Sequence, residues 1–336
     1  MKQLRITLGM IVLLILGSAI LNAAIFQFNA DNRARAFTDA DRDLTARAQS
    51  VADAVDRTLQ TRMIETFTFA ALPSLRAFAA SDVATRVTRG AAAREELRAI
   101  VSADENIRAA TIVDTPGKVL MTTDDSMLAD WSDRVFVREA LRGHLHASVP
   151  ARDFGEISQY YSAPLLNNAG NIAGALVLRV TAQELGSALG TYPNILLVDE
   201  DGVRLADRTN QPQPFVALAP LSAEAMTRAF AERRYGTEIT QIRATNLGEL
   251  RDEAHRGRAT PMSYRDADGK TVRAALWRIK TNFWTVIVIE DESTITAWAR
   301  AALFDMIVIA AITLVIALAL GFVIARFLSP ARGITP

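Results

Sequence analysis

The sequence predicts an α+β protein anchored in a membrane: a long N-terminal helix and two modules with antiparallel sheets, flanked by two transmembrane helices. Three observations carry that expectation. An uncharged apolar run stands near each end of the chain, Ile6 to Ala30 and Met306 to Ala325, with a mostly polar segment between them. No Gly or Pro interrupts the chain from Ser18 to Leu72. Four times, an apolar run is followed by Asp or Asn, two residues, Gly and a second apolar run: at 114–117, 167–170, 199–202 and 266–269.

The termini come first. About 20 helical residues at 1.5 Å each cross a hydrocarbon core of roughly 30 Å, and both runs are that long. Residues 6–28 and 303–326 are therefore expected to span the bilayer. Lys2 and Arg5 precede the first span, and Arg326 and Arg332 follow the second. Basic residues in short flanks stay cytoplasmic, so residues 1–5 and the C-terminal end are placed inside and the middle outside. Phe26, Phe28 and Trp298 fall near the outer ends of the spans, where bulky rings favour the interface. The other reading of the first run is a cleaved signal peptide ending near Leu21-Asn22-Ala23.

Continuity favours an uncleaved anchor leading into an extracytoplasmic stalk helix, 29–78, since nothing stops a helix before Pro73. Leu44, Ala48, Val51, Val55, Leu59 and Met63 recur at steps of three and four, the spacing of one apolar helical face. That stripe can pack against its own domain, pair with a second copy, or do each at different heights.

Each Asp/Asn-x-x-Gly reads as a hairpin, because Asp or Asn initiates the turn through its side chain and Gly accepts the positive φ that closes it. The flanks are strand-like: 109–113 with 119–121, 159–163 with 172–180, 194–198 with 203–205, and 262–264 with 272–277. Phe283 to Ile289 adds a final strand. Helical stretches are expected at 91–101, 133–141 and 222–233. Strands grouped in hairpins with intervening helices predict α+β rather than a doubly wound parallel sheet. The modules are expected at 79–190 and 191–298, joined near Gly190-Thr-Tyr-Pro193.

Composition sets limits. The formal net charge of the 336 residues is zero, which gives no electrostatic basis for nucleic-acid binding. With no cysteine, disulfides, thiol catalysis and cysteine-ligated metals are excluded. There is no Gly-x-Ser-x-Gly, Walker loop or His-Glu-x-x-His. His144 and His146 have no third ligand in view, so neither a metal nor another cofactor is expected, and no enzyme.

Three segments taken together resemble the double Cache sensor domain of bacterial membrane receptors. They are Asp130-Trp-Ser-Asp-Arg-Val-Phe-Val-Arg-Glu-Ala-Leu-Arg-Gly143, Tyr160-Tyr-Ser-Ala-Pro164, and Asn168-Ala-Gly-Asn-Ile-Ala-Gly-Ala-Leu-Val-Leu178. The Asp199-Glu-Asp-Gly202 hairpin and Phe283-Trp-Thr-Val-Ile-Val-Ile289 are similar to its second, membrane-proximal module. The resemblance implies two PAS-like modules on a long dimerising helix, hence a homodimer, with a small-molecule pocket usually in the distal module. Arg326-Phe-Leu-Ser-Pro330-Ala-Arg-Gly-Ile-Thr-Pro336 resembles the first turn of a HAMP linker, expected over 327–336. The resemblance also implies a cytoplasmic output module beyond it, such as a kinase, cyclase, phosphodiesterase or methyl-accepting domain.

The candidate ligand residues are Arg134, Phe136, Trp131, Tyr160, Tyr161 and Arg179. Arg134 opens an amphipathic helix, where its fork of donors can hold a carboxylate bidentately or simply pair at the surface. In amino-acid-binding relatives a matching Arg holds the ligand carboxylate, and an aromatic two residues later, here Phe136, lines the pocket. An Asp for the ligand amine is expected in the strand after the second hairpin, and the aligned residue is Arg179. If Arg134 and Arg179 face one cavity, they suit a dianion or an amine-free carboxylate; alternatively, Arg179 points out of the sheet to a neighbouring acid. Tyr160 and Tyr161 face opposite sides of a strand, so one of them can line the pocket. Trp131 reads equally as core. The expected function is an inner-membrane, two-pass receptor whose periplasmic or extracellular domain senses a small carboxylate or other anion. The alternatives are a structural or partner-protein-binding ectodomain and, without any motif, a membrane-tethered hydrolase.

Overall fold

The computed structural model describes residues 2–127, 130–209 and 212–328. It divides into two units, residues 44–290 and, of the described ends, 2–43 with 291–328. Helix α1, Lys2–Ala70, starts in the second of these and continues into the first. It stops where the sequence offers its first proline: Pro73 is the first residue of α2, Pro73–Ala79, where a missing N–H costs no helix bond. Asp82 caps α3, Val83–Ala103, by accepting from the Thr85 amide.

The first sheet contains β1 (Ile107–Val113), β2 (Val119–Thr122), β3 (His146–Ala147), β4 (Ala151–Asp153), β5 (Glu156–Leu166) and β6 (Ile172–Thr181), with α4 (Val135–Leu141) between β2 and β3. Its order is β2-β1-β6-β5-β3, and β4 also pairs with β5. Helix α5, Ala182–Ala188, follows. The second sheet contains β7 (Ile195–Val198), β8 (Arg204–Asp207), β9 (Met262–Arg265), β10 (Thr271–Arg278) and β11 (Thr285–Asp291), in the order β8-β7-β11-β10-β9. Two helices lie between β8 and β9: α6, Ala223–Ala231, and α7, Gly248–Arg256. The chain is α+β with two antiparallel sheets. Its helices α2, α5 and α7 and its short strands β3 and β4 add to the elements that the sequence predicts.

All four Asp/Asn-x-x-Gly segments are hairpins. The Asp114 carboxylate accepts from the Lys118 amide, Asn167 from Asn171, Asp199 from Val203 and Asp266 from Lys270.

One face of each sheet shares a single core with α1. Leu44, Ala48, Val51, Val55 and Leu59 are buried there with Tyr161, Leu176 and Leu178 of the first sheet and Leu197, Val286 and Val288 of the second. At these heights the apolar stripe packs within its own chain. Arg62 reinforces the contact, binding Glu65 and Asp104 at 2.6 Å and Glu184 at 2.9 Å. The opposite face of the first sheet carries a separate cluster around Trp131, Phe136 and Tyr160, and that of the second a cluster around Leu218, Leu250 and Tyr264.

In the other unit, α8, Glu292–Ile295, is followed by α9, Ala297–Leu328. Among the described residues one helix, Ala297–Ile316, is long and apolar enough to cross a membrane. The first apolar run lies within α1. The HAMP-like segment lies, from residue 329 on, outside the described residues.

Candidate functional site

Arg134 is the residue before α4, in extended conformation, and its side chain turns inward rather than capping the helix. It is 5% exposed. The guanidinium stands 5.5 Å from the Phe136 ring centre and 5.7 Å from that of Tyr160, which are stacked 4.6 Å apart with Trp131 edge-on to both. Desolvated cations over aromatic faces gain from the ring quadrupole, but a buried guanidinium also needs an anion. That anion is Asp153, at the end of β4: Arg134 Nη2 donates to its Oδ2 at 2.6 Å, and Tyr160 Oη donates to the same oxygen at 3.0 Å.

The sequence reading missed Asp153. Its other oxygen, Oδ1, accepts from the amide and hydroxyl of Thr237 at 2.7 and 2.8 Å. Burial pushes this carboxyl up, but the Arg134 charge and the Thr237 and Arg134 hydrogen bonds outweigh burial and hold it below the usual carboxylate range. Arg134 Nη1 donates to the Arg233 carbonyl at 2.9 Å. The segment 232–238, between α6 and α7, thus reaches both members of the pair. It also meets β4 by backbone: the Arg152 amide donates to the Tyr235 carbonyl at 2.8 Å and the Glu238 amide to the Arg152 carbonyl at 3.3 Å. Gly155 N donates to Glu238 Oε1, and Arg138 binds Glu232 at 2.7 Å.

A cleft of about 590 Å³ opens beside this pair. Arg134, Phe136, Arg138, Val149 and Tyr160 line one side, and Glu200, Arg234, Phe283 and Trp284 line another. His146 also lines it, and burial lowers its pKa, so the ring is neutral near pH 7.

The candidate residues divide. Arg134, Phe136, Trp131 and Tyr160 come together, with Trp131 in the packed cluster rather than on the cleft wall. Tyr161 does not join them: it faces the α1 core, its hydroxyl donating to Gln159. Arg179 is directly opposite Tyr160 in the β5–β6 register and shares its face, yet it does not line the cleft. It is 5% exposed, binds Asp124 and Glu156 at 3.3 Å each, and covers the Phe154 ring at 5.2 Å. The two arginines therefore hold separate acids instead of sharing one cavity. Outside the site, the His144 ring pairs with Glu139, and no group of three metal-ligating side chains occurs among the described residues.

Two antiparallel-sheet modules backed by a long helix are the architecture that the resemblance to the double Cache domain implies. A double-Cache family model, described as Cache domain, matches residues 37–299. The chain belongs to the Cache-domain family. Among solved structures it is similar to the sensor domain of the Vibrio cholerae histidine kinase DctB, at 12% identity and TM-score 0.62, covering 76% of this chain and 98% of that one. It is also similar to the sensory domain of the Campylobacter jejuni chemoreceptor Tlp3 with isoleucine bound, at 14% identity and TM-score 0.53, covering 79% and 98%. A third is the extracellular domain of soHK1S-Z6, at 13% identity and TM-score 0.53, covering 79% and 99%. No curated protein matches it by sequence.

Proposed function

We propose that this chain is the extracytoplasmic sensor of a two-pass inner-membrane receptor, binding a small carboxylate or other anion through its distal module, residues 79–190. The observation that carries this reading is Arg134, buried over Phe136 and Tyr160 at the edge of the cleft. A guanidinium so placed offers a planar pair of donors in a low-dielectric wall, which suits a carboxylate better than a neutral ligand. Tlp3 domains were crystallised with isoleucine or valine, each of which presents a carboxylate.

The spans at 6–28 and 303–326 put the termini in the cytoplasm by the positive-inside rule, with the bilayer as a second partner. The proximal module, 191–298, joins the second span, and a ligand that prefers one arrangement of the sensor shifts that span by no more than its differential affinity. Residues 327–336 begin a HAMP-like linker to an output module. The stalk, 29–78, pairs with a second copy at heights where its stripe is not already covered.

Calorimetric titration of the full chain in nanodiscs with acetate, succinate, amino acids and amines tests the reading. Binding confined to carboxylates and weakened at least tenfold by Arg134→Ala is the expected result, since hydrogen bonds to charged groups are each worth about 1.5–3 kcal/mol. Binding of none of them would favour a ligand-free ectodomain driven by a partner protein.

A further inference from the structure

The donors that make Arg134 a carboxylate site already hold a carboxylate. Nη2 is taken by Asp153 and Nη1 by the Arg233 carbonyl, and Asp153 in turn accepts four hydrogen bonds, two of them from Thr237. We propose that Asp153 is an internal competitor for Arg134: a carboxylate ligand binds by taking its place on the guanidinium, and segment 232–238 of the proximal module is released with it. The inference rests on the carboxylate reading of the Arg134 site given above.

The exchange is isoelectric. One carboxylate enters and one leaves, so the Arg134 cation is never left buried without a partner, the step that would make simple insertion costly. Asp153 has a short path to water. It is the last residue of β4, and the turn that follows, Phe154-Gly155, is exposed. Phe154 holds φ +56° and Gly155 φ +76°, the pair of left-handed residues that closes the two-residue hairpin between β4 and β5. Arg233 holds φ +46° just past the C-terminal end of α6, so each end of the contact is a tight local turn.

The released segment is tied to the second sheet. Tyr235 Oη donates to Asp199 at 2.6 Å, and Arg234 binds Glu200 at 2.5 Å. Asp199 follows β7, which pairs with β11, the strand from which the chain runs on into α8 and α9. Occupancy at Arg134 is thereby converted into the presence or absence of a bridge between the modules. The latch opposes binding, so weakening it must tighten the ligand.

Hydrogen exchange and titration on the full chain in nanodiscs decide the matter, with acetate and succinate as probes. Saturating carboxylate is expected to speed exchange of the Arg152, Gly155, Thr237 and Glu238 amides at least tenfold, leaving the β5–β6 amides unchanged. Thr237→Val, which removes one donor to Asp153 without touching Arg134, is expected to bind the probe several-fold tighter than the native chain. Binding seen only in Thr237→Val supports the proposal equally, since the latch then masks the native site. Arg134-dependent binding with the four amides unchanged, or Thr237→Val binding no tighter, overturns the exchange and leaves the carboxylate site standing. Absence of binding in both proteins overturns the carboxylate reading and the exchange together.

Discussion

The bridge between the modules depends on one glycine, and replacing it gives the most direct test of the geometry. Gly236 lies in segment 232–238 with φ +97°, and a Cβ there would stand 2.2 Å from the Arg152 carbonyl oxygen and 2.6 Å from its nitrogen. Backbone on both sides cannot yield as a flexible side chain would, so Gly236→Ala must push the segment away from β4 by about an ångström. The left-handed conformation costs an alanine about 1–2 kcal/mol. Separation also weakens the Arg152 amide to Tyr235 carbonyl and Glu238 amide to Arg152 carbonyl bonds, at about 1 kcal/mol each. The expected loss is therefore about 3–4 kcal/mol, or a fall in thermal midpoint of about 6–16 °C for a domain of this size. Gly170→Ala supplies the control: φ is +82°, but nothing lies within 4 Å of the added Cβ, so only the conformational cost applies. Differential scanning calorimetry of the full chain in nanodiscs compares the two. Equal midpoint shifts for both variants would show that the close approach to Arg152 is not a real constraint.

Two further outcomes follow from charged groups that do not themselves line the cleft. Arg62, whose side chain is 7% exposed, holds three acids from α1, the α3–β1 loop and α5. Arg62→Ala should cost about 3 kcal/mol, the lower end for breaking a buried ion pair because the acids reach water, and Arg62→Lys should recover little of it in denaturant titrations. Asp199 is pushed up to about 6, chiefly by burial. Its folded pKa lies above the unfolded value, so between about pH 4 and 6 the folded state binds more protons and stability falls as pH rises. Asp199→Asn should lack that slope, read as the difference between the two unfolding profiles across the window.

The parts of this molecule that could be read from the sequence are those fixed locally. The hairpins were legible because each needs only an Asp or Asn that can accept from the amide four residues on and a Gly that tolerates positive φ. Helix α1 was legible beyond Ser18 because no Gly or Pro occurs from there to Pro73. Helix α7 was not: it begins at Gly248, buries only Leu250 and Ala254, and is otherwise charged, so it has almost no apolar period to detect. Arg134 was a candidate by its chemistry at the start of a helix, and its aromatic partners came with the resemblance to the double Cache domain, whereas the acid that satisfies Arg134 was not found. Asp153 precedes Phe-Gly in what reads as an ordinary turn, and its second partner, Thr237, is 84 residues away in the other module. Arg179 illustrates the same limit. The sequence left open which way it points, and its capture by Asp124, after β2, and Glu156, at the start of β5, depends on an approach that no local pattern encodes.

An ionic contact at the heart of the inter-module bridge calls for a reason, because stability alone does not supply one. Desolvating a guanidinium and a carboxylate costs about as much as their attraction returns, and apolar residues of similar volume often do as well or better. If the Arg134–Asp153 pair existed to hold the modules together, replacing the cluster by Arg134→Met, Asp153→Leu, Tyr160→Phe and Thr237→Val would weaken the fold severely. If it exists to be exchanged, that variant should unfold within about 2 kcal/mol of the native chain. Its Arg152 and Glu238 amides should stay protected at any carboxylate concentration, since nothing remains to compete for. A loss beyond about 4 kcal/mol, the range for an uncompensated buried charge, would instead assign the pair a structural duty and remove the reason for treating Asp153 as a competitor.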